Sequence, residues 1–454
     1  MSIRFGTDGW RAVISETFTF ANLRLVAQAI ADYILEETDG GDVPEVVVGH
    51  DTRFLSDRYA AEVARVMAGN GIVAWLTRAD APTPAISYSV VEKKAAAGIM
   101  ITASHNPPEY NGFKLCLGLD SIHGEDIQKI LHIISDQAFS QGQGTLSSED
   151  VVPAYTDSVV NNISLEKPLK VGVDAGNGTG GFVAVPILKK LGCVVHDIYC
   201  DMDGTFPNHE ADPTVGENMQ DLIALVKEKD LDIGVGFDGD GDRIGVVDES
   251  GRLIFGDKLM IIYAREILSR KPGATFISEV KCSKTMYDDI EKHGGRAIMW
   301  RTGHSLIKKK MKEERAALAG EMSGHMFFAD RYYGFDDATY AACRLLEILA
   351  KTGKTISELL SDVPETVTTP EIRVECPDDI KFDLVKKITA HFRKQYNVID
   401  IDGARVVFDD GWGLVRASNT QPALVLRFEA MTIERLNEIR HLIESTLEEF
   451  KNAS

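Results

Sequence analysis

The sequence predicts an α/β protein of three related mixed α/β domains followed by a smaller C-terminal α+β domain. Three observations carry this prediction. Along most of the chain, short β-branched runs alternate with amphipathic helical stretches, the pattern of packed α/β layers. Within that alternation a larger unit recurs three times. After the segment TVTTPEIRVECPDD the unit gives way to a different arrangement.

Each repeat opens with a strand and a polar turn leading into a helix: VVVGHDTRFLS, then VGVDAGNGTGG, then FISEVKCSKTM. Each continues to a second stretch that reads apolar, polar, apolar: GIMITASHNPPEYNGFKL, IGVGFDGDGDRIGVV and AALAGEMSGHMFF. The likeness among the repeats is one of pattern and not of identity. It places domains near 1–150, 151–256 and 257–368, with a polar loop at the equivalent position of each. The remainder, 369–454, holds a helix-like segment and then RVVFDDGWGLVRASNTQPALVLRFEA, which reads as strands around a fourth polar loop. It closes with an amphipathic helix whose apolar positions Leu436, Ile439, Ile443, Leu447 and Phe450 keep three-to-four spacing. A chain of 454 residues agrees with three or four domains at ~100–200 residues each. Four loops, one per domain, would line one cleft between domains, where ligand sites usually fall.

A formal charge of −20 argues against nucleic acid and against anionic membrane surfaces as partners, since both select basic patches. An anionic substrate would need a local cluster of Arg, Lys or metal. No apolar run approaches the ~18 residues of a membrane span, and the start MSIRFGTDGW lacks a signal-peptide apolar core. Cys116, Cys193, Cys200, Cys282, Cys343 and Cys376 show no C-x-x-C spacing, which fits reduced thiols and neither a disulfide scaffold nor a zinc site. A cytoplasmic protein is expected, acting as a monomer or weak homo-oligomer.

The stretch ITASHNPPEYNGFK sets Ser104 beside His105 in a loop fed by the apolar run Ala95–Ile101. A Ser–His–acid hydrolase fits poorly. Adjacent side chains rarely reach each other as nucleophile and base, and the elbow G-x-S-x-G is absent here. By itself the loop reads as a turn, because Ser, Asn, Pro-Pro and Asn-Gly are turn formers.

In FDGDGDR, Asp238, Asp240 and Asp242 alternate with glycines, so three carboxylates can crowd one point while the backbone bends freely. Three like charges this close call for a cation, and all-oxygen ligands suit Mg²⁺ or Ca²⁺. An EF-hand is the rival, with Glu249 at its twelfth position. Against it, Arg243 stands at the sixth position, where the turn needs glycine, and the flanks IGVG and IGVV read as strands. Mg²⁺ with open coordination positions is therefore expected. Arg243 reads equally as a phosphate contact beside the metal or as a salt bridge that neutralises the aspartates.

GEMSGH offers Glu321 and Ser323 for sugar hydroxyls and His325 for proton transfer; alone it also reads as a polar strand connection. RASNTQP places Arg416, Ser418, Asn419 and Thr420 in one turn, a bidentate guanidinium with short neutral donors that suits phosphate or, equally, a hairpin. FGTDGWR ends in Arg11, a candidate for an anion or for ordinary surface pairing. GNGTGG, Gly176–Gly181, formally satisfies G-x-G-x-x-G and raises a nicotinamide-dependent oxidoreductase, with Asp197 or Asp201 as the following carboxylate. It also reads as a strand-to-helix turn, and an oxidoreductase leaves the acid triplet and the Ser104 loop unexplained. A serine loop, a divalent-metal triplet, a sugar-type loop and an Arg-rich loop, one per domain, together point to phosphoryl transfer on a sugar phosphate.

Four motifs in order, TASHNP (Thr102–Pro107), DGDGDR (Asp238–Arg243), GEMSGH (Gly320–His325) and RASNT (Arg416–Thr420), span essentially the whole chain. Through them the sequence resembles the α-D-phosphohexomutase family, in its bacterial phosphoglucomutase/phosphomannomutase branch. The resemblance implies four domains around a deep central cleft. It implies that Ser104 is a phosphoserine that carries the transferred group, its phosphate oxygen holding Mg²⁺ together with Asp238, Asp240 and Asp242. It implies that Glu321 and Ser323 grip sugar hydroxyls, and that Arg416, Ser418, Asn419 and Thr420 grip the substrate's non-reacting phosphate. Lys114, Arg11 and His325 match positions linked to proton transfer and phosphate handling, and Lys281, Thr302 and Gly303 match further substrate contacts. The implied reaction interconverts hexose 1-phosphate and hexose 6-phosphate, with hexose 1,6-bisphosphate as intermediate and activator. The sibling phosphoglucosamine mutase usually carries loops like GEQSGH and RPSGTEP. GEMSGH and RASNTQP here favour glucose and mannose phosphates, sugars that differ only in configuration at C2.

Overall fold

Four sheets succeed one another along the chain. The computed structural model describes residues 3–6, 9–38, 43–136, 139–418 and 421–452. In the first sheet, the strand Ala97–Ile101 lies between a parallel neighbour, Glu45–His50, and an antiparallel one, Tyr110–Leu117. Gly9–Val13 extends one edge, and Val73–Thr77 and Leu146–Glu149 extend the other. In the second sheet, Ile233–Phe237 lies between parallel Lys170–Asp174 and antiparallel Ile244–Asp248. In the third, Leu318–Gly320 lies between parallel Thr275–Glu279 and antiparallel Met326–Phe328.

The three sheets are therefore wired alike, and the sequence repeat is one structural unit used three times. Each unit's first stretch is the parallel strand with its turn into a helix: Ser56–Gly69, Gly180–Lys190 and Lys284–Lys292. Each unit's second stretch is the central strand, a polar connection and the antiparallel return. The central strands Ala97–Ile101, Ile233–Phe237 and Leu318–Gly320 are buried at every residue, as expected where helices cover both faces. Because the first-stretch strand is the parallel neighbour of the central strand, its turn stands beside the polar connection at the same sheet edge.

The fourth sheet is antiparallel, centred on Ala404–Phe408, Gly411–Ala417 and Ala423–Ala430. The closing helix Ile433–Asn452 covers it with Leu436, Ile439, Ile443 and Leu447 buried, and Phe450 packs at the margin of that core. One apolar core runs through the second and third units and takes in Ile86, Val90 and Met100 of the first. The third and fourth units meet over Val280, Trp412 and Leu414. The six cysteines are unpaired, and no described helix is long and apolar enough to cross a membrane.

Candidate active site

The serine loop leaves the buried end of Ala97–Ile101. Ser104 is 1% exposed and takes a left-handed backbone conformation, φ 53°, which a non-glycine residue adopts only when its surroundings hold it there. Its amide donates to Thr102 Oγ1 (2.9 Å). Its hydroxyl donates to Asp238 Oδ2 at 2.8 Å and lies 3.2 Å from His105 Nδ1. The two adjacent side chains thus do meet, against the sequence expectation, because the left-handed turn folds them to one side. His105 is a poor match for the base of a hydrolase all the same. Burial, with the positive charges of Arg243, Arg11 and Lys114, holds its imidazole well below the usual range.

Asp238, Asp240 and Asp242 occupy the equivalent loop of the second unit and are all but inaccessible. A Cβ on Gly239 would lie 2.5 Å from the Ser104 carbonyl oxygen, so only glycine lets the two loops close on each other. Asp238 Oδ1 accepts from the amides of Asp242 and Arg243, both at 3.0 Å. Asp240 Oδ2 accepts from Lys114 Nζ and Thr83 Oγ1, both at 2.6 Å, and Asp242 Oδ2 accepts from Lys114 Nζ at 2.7 Å. Burial and the charges of Asp242 and Asp240 push the Asp238 carboxyl well above the usual carboxylate range. Asp240 feels the same burial, but Lys114 and the Thr83 hydroxyl outweigh it and hold that carboxyl low. Asp240 Oδ1 and Asp242 Oδ1 are buried without a hydrogen-bond donor, and one oxygen from each aspartate falls within 4.8 Å of the others. Three buried carboxylates with oxygens to spare fit a hard divalent cation.

The strands on either side, Ile233–Phe237 and Ile244–Asp248, rule out an EF-hand, and Glu249 turns away to accept from Ser357 on a distant helix. The glycine-rich turn also has another use. A Cβ on Gly178 would lie 2.6 Å from the Gly239 carbonyl oxygen, and the Thr179 amide donates to that same oxygen at 3.0 Å. The space where a pyrophosphate would sit is filled by the aspartate loop, which removes the structural basis for the oxidoreductase reading.

The third loop joins the second through backbone and side chain. Arg243 and His325 form an isolated antiparallel bridge, and Arg243 Nε donates to His325 Nε2 at 3.0 Å. A guanidinium only donates, so Nε2 is the acceptor and the ring proton sits on Nδ1. Nδ1 faces Asp336 Oδ2 at 3.2 Å and Asp242 Oδ1 at 3.6 Å. His304 stacks on the other face of the ring, 5.3 Å between centroids, and lies 3.8 Å from Asp336. Glu321 Oε1 accepts from the Gly303 amide at 2.8 Å, while Ser323 is half-buried on the same loop.

Around the fourth sheet the arrangement changes. Arg416 Nε donates to Asp402 Oδ2 at 3.0 Å, and the Thr302 amide donates to the same oxygen at 3.0 Å. The Thr302 hydroxyl donates to Glu279 Oε2 at 3.1 Å. Lys281 lies 3.3 Å from Glu371 and 4.0 Å from Glu279. The Ser418 hydroxyl accepts from the Gln421 amide at 3.2 Å. Asn419 and Thr420 lie outside the described residues. Arg405, stacked on Trp412, donates to the carbonyls of Val280 and Cys282 on either side of Lys281.

Ser104, Lys114, the three aspartates, Arg243 and His325 thus form one continuous network, which Arg11 joins by donating to Asn106 Oδ1 at 3.0 Å. Lys281, Thr302, Gly303, Glu321 and Arg416 form a second, linked through Glu279 and Asp402. The linking residues Thr83, Glu279, His304, Asp336 and Asp402 were not singled out from sequence. Glu279 sits inside FISEVKCSKTM, a stretch already noted, and His304 directly follows Thr302 and Gly303. The Asp336–Asp337 pair ahead of a helix reads as a cap, a role Asp337 fills by accepting from the Tyr340 amide, which leaves Asp336 for the histidines.

Matches to four consecutive family descriptions tile the chain: Phosphoglucomutase/phosphomannomutase, alpha/beta/alpha domain I over residues 2–141, domain II over 153–251, domain III over 255–367, and the C-terminal domain over 371–445. A phosphomannomutase/phosphoglucomutase of Pseudomonas aeruginosa is 41% identical over 438 residues, 96% of this chain and 94% of that protein. A phosphoglucomutase of Neisseria gonorrhoeae is 41% identical over 96% of this chain and 95% of its own length. The crystal structure of a phosphoglucomutase/phosphomannomutase family protein from Burkholderia thailandensis superposes with a TM-score of 0.92 at 39% identity, covering 98% of this chain and 97% of that one. With its four consecutive units matched and these relatives aligned end to end, the chain belongs to the phosphoglucomutase/phosphomannomutase family.

Proposed function

We propose that the chain is an intramolecular phosphotransferase that interconverts hexose 1-phosphate and hexose 6-phosphate, of glucose and of mannose, through phosphorylated Ser104. The observation that carries this reading is the Ser104 hydroxyl held 2.8 Å from Asp238, inside a cluster of three buried carboxylates and one lysine. A buried serine that bonds Asp238, beside a histidine that feels the charges of Arg243, Arg11 and Lys114, suits a phosphoryl group held between a cation and positive side chains.

In the forward half-reaction, the free hydroxyl of the bound monophosphate attacks the phosphorus on Ser104. The bond from phosphorus to Ser104 Oγ breaks, Ser104 Oγ recovers its proton from Lys114, and the proton of the attacking hydroxyl passes to a base. We assign that role to His325: its unprotonated Nε2 would give up the hydrogen bond it accepts from Arg243 Nε to take the proton, while Nδ1 lies 3.2 Å from Asp336 Oδ2. The product is hexose 1,6-bisphosphate, which turns over in the cleft so that its other phosphoryl group returns to Ser104. Asp238, Asp240 and Asp242, with an oxygen of the Ser104 phosphate, would hold Mg²⁺, whose charge offsets that on the transferring group. Lys114, Arg11 and Arg243 bind the reacting phosphate from the other sides. Glu321 and Ser323 orient the sugar hydroxyls, while Arg416, Ser418, Asn419 and Thr420 hold the phosphate that does not react. Lys281, Thr302 and Gly303 complete the substrate contacts. The units bounded near 150, 256 and 368 each contribute one loop, and the six unpaired cysteines support a cytoplasmic location.

The test is a coupled assay with glucose 1-phosphate, mannose 1-phosphate and glucosamine 1-phosphate side by side. Turnover of the first two well above the third is expected; preference for glucosamine 1-phosphate would overturn the substrate assignment.

A further inference from the structure

The turn of the first unit's opening stretch, VVVGHDTRFLS, contains Arg53, which is 3% exposed although it carries a charge. Its guanidinium points into the backbone of the serine loop. Nη2 donates to the carbonyls of Ser104 and Asn106, both at 2.6 Å. Nη1 donates to those of Pro107 (2.7 Å) and Tyr110 (3.1 Å). Nε lies 3.2 Å from Asp51 Oδ2, and Asp51 is itself braced by the Arg53 amide (3.0 Å) and the Ser56 hydroxyl (2.8 Å). The ring of Phe206, from the second unit, covers the guanidinium at 4.8 Å. A Cβ on the nearby Gly204 would lie 2.2 Å from the Thr52 carbonyl oxygen, so the second unit is seated directly on this turn.

Within SHNPPEY the Glu109 carbonyl accepts from the Ile14 amide and the Pro107 carbonyl from the Tyr110 amide, and buried carbonyls without such a donor need another. One planar fork reaches those of Ser104 and Asn106 together with those of Pro107 and Tyr110, which a point-like ammonium cannot do. The Ser104 carbonyl is among the four. At φ 53° its direction is tied to that of the side chain, and it is confined between Arg53 on one side and Gly239 on the other. Releasing that carbonyl lets the residue relax toward negative φ, which swings Oγ away from Asp238.

We propose that Arg53 is a positioning residue for phosphoryl transfer: it locks the left-handed turn at Ser104 and registers the serine loop against the aspartate loop of the next unit. The proposal rests on the reading of Ser104 as the phosphoryl carrier.

Arg53→Lys keeps the charge and much of the volume but loses the fork. A small misplacement of a reacting group costs about a hundredfold in rate, so kcat is expected to fall by about that factor. KM for glucose 1-phosphate should stay within roughly threefold, because the contacts that grip the sugar and its distal phosphate are untouched. In Arg53→Ala, millimolar guanidinium chloride should restore part of kcat where sodium chloride at equal ionic strength does not. Phe206→Leu leaves the loop sequence intact and uncovers the guanidinium, and should lower kcat alone, to a smaller extent; it decides the matter if the Arg53 variants do not fold. A kcat within about twofold of wild type in both Arg53→Lys and Phe206→Leu, or a raised KM at unchanged kcat, would overturn the proposal. Intact-mass measurement of the wild type with glucose 1,6-bisphosphate reads the carrier role separately. No phosphate on Ser104 removes both readings, whereas phosphate on Ser104 with an unchanged kcat in the variants removes this one alone.

Discussion

The junction between the first and second units and the junction between the third and fourth are built differently. At the first, backbone meets backbone, as the Thr83 amide donates to the Asp240 carbonyl (2.8 Å) and Gly239 packs on the Ser104 carbonyl, and Lys114 of the first unit clasps Asp240 and Asp242 of the second (2.6 and 2.7 Å). The aspartates there are at most 1% exposed. At the second, Arg416 pairs with Asp402 inside the fourth unit, while Lys281 of the third pairs with Glu371 of the fourth and the Thr302 amide reaches Asp402 Oδ2. Backbone contacts fix distances and have no substitute. A side-chain ion pair can exchange its anion for that of a ligand. On the proposed mechanism, the end of the site that would exchange bonds is set by direct backbone contact, and the end that would hold a phosphate is set by side-chain pairs. A substrate that must be bound in two opposite orientations requires both properties.

The largest effect should come from the rigid junction. Ser104→Ala is expected to lower turnover by roughly 10³-fold or more, the scale of removing a nucleophile that acts within a concerted set. Stability should change little, by about 1 kcal/mol for the lost hydrogen bond to Asp238. Intact mass should show a phosphate on the wild type and none on the variant. Undiminished turnover in the variant would remove the carrier role, and with it the functional meaning of the contrast.

Next in size is the metal. Outer-shell partners of a metal cost roughly 10–100-fold when removed, and a ligand should cost at least as much. Asp240→Asn should therefore lose activity on that scale and recover part of it with added Mg²⁺. Lys114 and Thr83 both bond the same Asp240 oxygen, so local structure is expected to survive the loss of one charge. Wild type treated with a chelator should lose its rate and regain it with Mg²⁺; a rate indifferent to chelation would make the triplet structural.

These two junctions also differ in how much of them could be read in the sequence. The repeat was visible because each unit must make a fully apolar central strand, a polar connection and an apolar return, and that order is a linear pattern. Ser104 and the aspartates fall within single connections, so they too are linear signals. The residues that hold them are not. Thr83 meets Asp240 across 157 positions, and Asp402 meets Thr302 across 100. A lone threonine at a helix start or an Asp-Gly before a strand has an ordinary local explanation, and only the docking of one unit on another reveals a second role. Arg53 lay inside a stretch noted for its strand-to-helix turn, yet nothing in HDTRFLS distinguishes a surface arginine from one that gathers four carbonyls. The glycines of GNGTGG misled for the same reason: their close approach is to another loop of the same chain and not to a cofactor.

At the exchangeable junction, Arg416→Ala should weaken both hexose 1-phosphate and hexose 6-phosphate by roughly 2–5 kcal/mol, the cost of losing a charge-paired contact. It should also let the bisphosphate escape before it has turned, so that trace hexose 1,6-bisphosphate stimulates the variant more than the wild type. Loss of affinity for one monophosphate alone would show that the two orientations do not share this grip.

The smallest effect, and the sharpest probe of the contrast, concerns Asp402. This carboxylate accepts the hydrogen bond from Arg416 Nε and so leaves the terminal nitrogens of the fork for a phosphate. It also places a negative charge beside the anion that would bind there, so it orients the arginine and opposes the ligand at once. Asp402→Asn keeps an oxygen that accepts from Arg416 and from the Thr302 amide but removes the charge. The side chains are only 8% and 16% exposed, so the repulsion is little screened by solvent; the weaker hydrogen bond to Arg416 offsets part of its loss, and the net change should be about 0.5–1 kcal/mol, a two- to fivefold decrease in KM. Both monophosphates should tighten equally, with little dependence on salt. A rise in KM for both would mean that orientation outweighs repulsion, and that the fourth unit is held as rigidly as the first.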